Sequence, residues 1–110
     1  MRKVVLSSTT FHLDEPEFQC SLTDELWHDG YEYITMLNDA PILQRFWKHQ
    51  YGVEAENPIS VSMLNQLTEE LDKCIACYPM EESLVAFSLE FKSLINKAVR
   101  YNCSLQIIAQ

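Results

Sequence analysis

Apolar residues recur at helical spacing in four stretches of this chain, and Pro41, Gly52 and Pro79 cut those stretches apart. In a helix, side chains at i, i+3, i+4 and i+7 share a face, so such a stripe marks one buried side. From Ser21 to about Asn38, Leu22, Leu26, Tyr33 and Leu37 fall in one narrow arc, with Ile34 and Met36 on its shoulders. Ser21 reads as the cap of this helix, with Asp24 three residues on in a variant of the capping box. Pro41 disfavours helical geometry at Ala40 and bounds the segment. Gly30 lies on the buried side, where it weakens the helix by up to about 1 kcal/mol and permits a neighbour to approach closely.

Pro41 suits the first turn of a second helix, with Ile42, Leu43, Phe46, Trp47 and Tyr51 as its buried stripe and Gly52 as its stop. Residues 53–58 read as a loop carrying Glu54 and Glu56. A third helix begins near Ser60 or Ser62, carries Leu64, Leu67, Leu71, Cys74, Ile75 and Tyr78, and ends at Pro79. The fourth runs from about Met80 to Tyr101. Leu84, Phe87, Phe91, Leu94, Ile95 and Ala98 form its stripe, widened by Val85, Leu89 and Val99, so it should be the central element.

Residues 3–7 are β-branched and apolar, as a short strand requires. From Ser8 to Cys20 the chain is polar and reads as a loop pinned by Phe11, Leu13 and Phe18. Past Asn102, a left-handed cap, Cys103–Ile108 reads as a second strand. The fold expected is mainly α, about four helices packed as an irregular bundle, with a small two-stranded sheet from the two termini. At 110 residues this is one domain, 1–110.

Charge is unevenly spread. The formal net charge is −8 at pH 7, and no Lys or Arg occurs between Lys3 and Arg45. Residues 1–39 hold eight acids against two bases, whereas residues 83–110 hold one acid against three bases. On the first helix, Asp24, Glu25, His28, Glu32, Thr35 and Asp39 share the outer arc, with Asp29 nearer the buried border. Asp14, Glu15 and Glu17 in the preceding loop extend the same acidic stretch. Trp27 and Tyr31 sit one turn apart at its margin, and such residues are common interface anchors. An acidic surface repels nucleic acid and anionic membranes and speeds encounter with cationic proteins. Behind Arg2 and Lys3 the apolar run is only Val4-Val5-Leu6, far short of a signal-peptide core, and no run approaches a membrane span. The expectation is a cytoplasmic protein with reduced thiols.

Motifs for catalysis are thin. Cys74 and Cys77 have chelating or redox spacing, but they stand near the end of a helix, where the dipole opposes a thiolate. The blander reading is a structural Cys74 with Cys77 beside it. Glu25 and His28 match one Glu-x-x-His pair of a di-iron bundle, but no second pair exists and both face outward. His28, flanked by Asp24, Glu25 and Glu32, reads as a solvated helix-surface residue. There is no Gly-x-Ser-x-Gly elbow and no Gly-rich phosphate loop. The paired acids Glu69-Glu70 and Glu81-Glu82 read as helix-surface and helix-start charges. Neither enzyme activity nor a cofactor or metal is expected.

The residues picked out as a partner-binding face are Asp14, Glu15, Glu17, Asp24, Glu25, Trp27, His28, Tyr31, Glu32 and Asp39. In size, acidity and lack of a catalytic motif the chain resembles bacterial immunity proteins of contact-dependent growth-inhibition and bacteriocin systems. The resemblance implies one-to-one binding of a basic toxin domain, often a nuclease, with the acids mimicking substrate phosphates or covering the toxin's cleft. The acidic charge argues against direct contact with nucleic acid or membrane. Two alternatives stand beside it: a small metal protein or enzyme using Glu25, His28 and the cysteines, or an acidic adaptor or regulatory protein.

Overall fold

The computed structural model describes residues 2–7, 18–48, 50–51 and 58–109. In chain order these form β1 (Arg2–Ser7), β2 (Gln19–Leu22), α1 (Asp24–Thr35), α2 (Pro41–Trp47), a 3-10 turn (Val61–Met63), α3 (Leu64–Cys77), α4 (Glu82–Tyr101) and β3 (Ser104–Ala109). The mainly helical reading with a small sheet from the termini holds. The sheet, however, has three antiparallel strands in the order β2-β1-β3.

The third strand comes from the segment read as the end of a loop and the start of a helix. Cys20 and Leu22 are both buried, and Ser21 between them is exposed. That is the alternation of a pleated strand. Leu22 faces Arg2, and Cys20 faces Val4. Leu22 and Leu26 are also four residues apart, so a helical stripe accounts for them equally well on paper. The cap settles the boundary: Thr23 has extended backbone, and its Oγ1 accepts the amide of Leu26 at 3.1 Å. The helix therefore starts after Thr23, not at Ser21. It ends at Thr35 rather than Asn38, because the amide of Met36 still reaches Glu32 but the chain then turns. Gln44 of α2 donates its Nε2 to the carbonyls of Leu37 at 2.9 Å and Ile34 at 3.4 Å, satisfying groups the ended helix leaves open.

Val4 and Leu6 of β1, Leu105 and Ile107 of β3, and Cys20 and Leu22 of β2 form the sheet's side of one core. The outer edge of β3 is covered: Ile59 exchanges two backbone hydrogen bonds with Leu105, and the Ile107 amide donates to the Tyr51 carbonyl. Such covering removes a site for uncontrolled strand pairing.

Phe46 stands at the centre of the helical side, in ring contact with Trp27, Trp47, Phe87 and Phe91. Full burial of a side chain of this size is worth about 1.5–3 kcal/mol. The α4 stripe is buried as expected from Leu84 to Ala98, and Asn102 closes the helix in the left-handed region at φ 55°. Leu89 and Val99 do not widen it; both are exposed. Met36, placed on the shoulder of the α1 stripe, is 74% exposed because the helix has ended there.

Glu70 is the largest departure. Expected on the helix surface beside Glu69, it is only 2% exposed. Its position three residues past Leu67 and four before Cys74 puts it on the buried stripe of α3. There its Oε1 accepts the amide of Leu43 at 2.7 Å. The short helix α2 has no side-chain cap of its own, so α3 supplies the acceptor.

Candidate functional site

Helix α1 carries its acids outward. Asp24, Glu25, His28, Asp29, Glu32 and Asp39 are all exposed, so Asp29 belongs to the open face and not to a buried border. Glu25, Asp29 and Glu32 line two adjoining grooves that α1 makes with the start of α4. The first, of about 350 Å³, lies between Thr23, Glu25, Leu26, Asp29, Gly30 and Tyr33 on one side and residues Met80, Glu81, Glu82, Ser83 and Leu84 on the other. The second, of about 470 Å³, is bounded by His28, Asp29, Glu32, Tyr33 and Glu81. Asp29, Tyr33 and Glu81 belong to both, so the two read as one continuous depression. Among the described residues, neither wall includes a Lys or an Arg.

Tyr33 forms the floor between them. Assigned to the core by helical phase, it is only half-buried. Its hydroxyl donates to Glu81 Oε1 at 2.9 Å, and that bond to a carboxylate pushes the phenol's pKa up. The Tyr78 hydroxyl donates to the Tyr33 carbonyl at 3.0 Å, and the two rings lie 4.8 Å apart. These contacts join the C-terminal end of α1 to the α3–α4 connection. Met80, 86% exposed, stands on its rim.

Glu81 and Glu82 were legible only as charges at a helix start. Their role as the far wall depends on α4 beginning beside α1, and helical spacing within one segment carries no such signal.

The other residues of the expected face are distributed differently. Asp24 is ion-paired with Arg2 at 3.1 Å, because the register opposite Leu22 brings Arg2 of β1 to the start of α1. The stretch without a base is thus neutralised at one end from across the sheet. The Arg2 guanidinium also sits 4.3 Å from the centroid of the Trp27 ring. Trp27 is half-buried and stacked on Trp47 at 5.7 Å, and its carbonyl accepts the Trp47 indole N–H at 2.9 Å. It is a packing residue as much as a marginal one. Tyr31 is 45% exposed and lines neither groove. Asp39 lies in a separate groove with Glu69, Glu70 and Lys73. Asp14, Glu15 and Glu17, together with Glu54 and Glu56, lie outside the described residues.

Among the described residues, no three His, Cys, Asp or Glu side chains stand close enough to hold an ion. All four cysteines are free. Burial pushes the Cys74 thiol up to about 11. Burial first, and then the nearby Glu90 carboxylate, pushes Cys20 up to about 12. Both shifts oppose thiolate chemistry. Among the described residues, no helix is long and apolar enough to cross a membrane.

What the groove can do is receive a cation. Five carboxylates, Glu25, Asp29, Glu32, Glu81 and Glu82, offer acceptors for a guanidinium or an ammonium group. Tyr33, Leu26 and Met80 offer apolar surface for the stem of such a side chain. No protein-family model, curated protein or solved structure was found that matches the chain.

Proposed function

We propose that this protein is a non-enzymatic binding module that neutralises a basic protein, in the manner of an immunity protein bound one-to-one to a toxin domain. The observation that carries this reading is the acidic depression between α1 and the start of α4, which has no Lys or Arg among its described lining residues. Like-signed carboxylates gathered from two separate helices repel one another, so the arrangement costs stability unless a cation relieves it. Their summed field would steer a cationic partner and raise its association rate. A toxin nuclease offers such a surface, since it must itself attract phosphates. The cytoplasm is the compartment this role requires, and the four free cysteines are in keeping with it.

Capture from a lysate of the source organism, using wild type and the triple variant E25K/D29K/E32K, tests the reading. Wild type should retain a basic protein at low salt, and the variant should release it. Association of the identified partner should then slow by about 100-fold in the variant at low salt, by loss of steering. Retention by a correctly folded variant would place the interface elsewhere, and an acidic partner would end the proposal.

A further inference from the structure

Along the outer line of α4, Glu82, Ala86, Leu89, Ser93, Asn96 and Arg100 are all exposed. Their spacing alternates four and three residues, the period that keeps a seam turned toward a facing helix. A solvated helix face normally carries charge opposite its apolar stripe. The outer faces of α1 and α3 do so, with Asp24, Glu25 and Glu32 on one and Glu69 and Asp72 on the other. The α4 seam instead has its charges at the two ends, acid at the start and base at the finish, and none between them. Leu89 in its middle is 54% exposed. Val85, Lys92 and Val99 share one flank of the seam, which the ion pair of Lys92 with Asp72 turns toward α3. Ser83, Glu90 and Lys97 share the other, where Glu90 accepts the Cys20 thiol of β2 at 3.9 Å. Neither Glu82 nor Arg100 has an ion pair among the described residues.

We propose that this face receives a second copy of the chain: two α4 helices pair antiparallel about a two-fold axis level with Phe91, midway between Glu82 and Arg100. That register sets Glu82 against the partner's Arg100 at both ends. Between them Ala86 meets the partner's Asn96, and Leu89 meets the partner's Ser93. A two-fold axis turns each flank toward its own counterpart, so Val85 meets the partner's Val99 and Ser83 meets the partner's Lys97. An isologous contact must be complementary to itself, and a helix with opposite charges at its two ends is so only when antiparallel. A parallel pair would set Glu82 against Glu82 and Arg100 against Arg100. The chain's net charge of −8 opposes association, but residues 83–110 hold one acid against three bases, so repulsion is least on this side. Near the axis Lys92 is neutralised by Asp72, while Glu90 approaches the partner's Glu90 at some cost. One helix against one helix is a small interface, and the dimer should dissociate in the micromolar to millimolar range.

Sedimentation equilibrium of the full chain at about 0.15 M salt, where the screening length is about 8 Å, reads this contact with no other protein present. The average mass should rise from 12.8 kDa toward twice that value as concentration increases. E82R and R100E should each weaken the dimer by about tenfold, since each sets like charges opposite one another at both ends. The double variant E82R/R100E should return it to within about threefold of wild type. If the single variants act by fraying α4 instead, their effects add and the double variant is worse than either. L89K should leave a folded monomer at every concentration, because the side chain it replaces is exposed. A wild type that stays at 12.8 kDa, single variants without effect, a double variant no tighter than the singles, or a mass that climbs past two copies would each overturn the pairing. None of these outcomes bears on the acidic groove, since only this chain is in the cell.

Discussion

At the scale of single residues, what lies across the packing interface outweighs local preference. A Cβ on Gly30 would stand 2.7 Å from Cζ2 of Trp47 and 3.2 Å from its Cε2. That indole cannot easily yield, since it stacks on Trp27, donates to the Trp27 carbonyl and meets Phe46 and Phe87 edge-on. Alanine in place of glycine favours a helix by up to about 1 kcal/mol. Wedging a methyl group into a packed contact costs about 1–3 kcal/mol. G30A should therefore lower the denaturant midpoint, and an increase would mean that Trp47 swings aside at little cost. The closeness of a neighbour to Gly30 was legible from its place on the α1 stripe. That the neighbour is Trp47 was not, because helical phase says nothing about which element packs opposite.

At the scale of elements, the entry to α1 shows two patterns competing for the same residues. Ser21 with Asp24 imitates a capping box, but Thr23 holds the Leu26 amide, while Ser21 points outward from β2. Removing a cap hydroxyl costs about 1 kcal/mol, whereas an exposed strand serine away from any special feature changes stability by less than about 0.5 kcal/mol. T23A should lower the unfolding free energy by the first amount and S21A by no more than the second, measured side by side in urea. Equal losses would return the cap to Ser21. The strand itself was hidden because Cys20 and Leu22 satisfy a period of two and Leu22 and Leu26 satisfy a helical turn. Only pairing with β1 separates the two readings.

At the scale of the whole molecule, sixteen acids against eight bases leave a globule of 37 × 27 × 24 Å that repels itself. Raising ionic strength from about 0.01 M to about 0.15 M shortens the screening length from about 30 Å to about 8 Å. At the lower value repulsion acts across the molecule, and at the higher it is confined to neighbours. The pairs Arg2–Asp24 and Lys92–Asp72 would be weakened by the same salt, but exposed pairs contribute little. The melting temperature should therefore rise over this range. A fall would show that the pairs outweigh the net charge.

The sequence by itself determined the mainly helical class, the four helical segments, the burial of the α2 and α4 stripes, the left-handed stop at Asn102 and the outward acids of α1. Each of these is local, set by the spacing of apolar residues, by proline geometry or by a backbone preference. Tertiary structure alone decided that β2 joins the sheet, that Arg2 neutralises Asp24 and that Glu70 caps a neighbouring helix from within the core. It also decided that Glu81 and Glu82 complete the acidic groove begun by α1. These arrangements join residues from 14 to 57 positions apart, and their energies arise only where packing has brought the groups into contact.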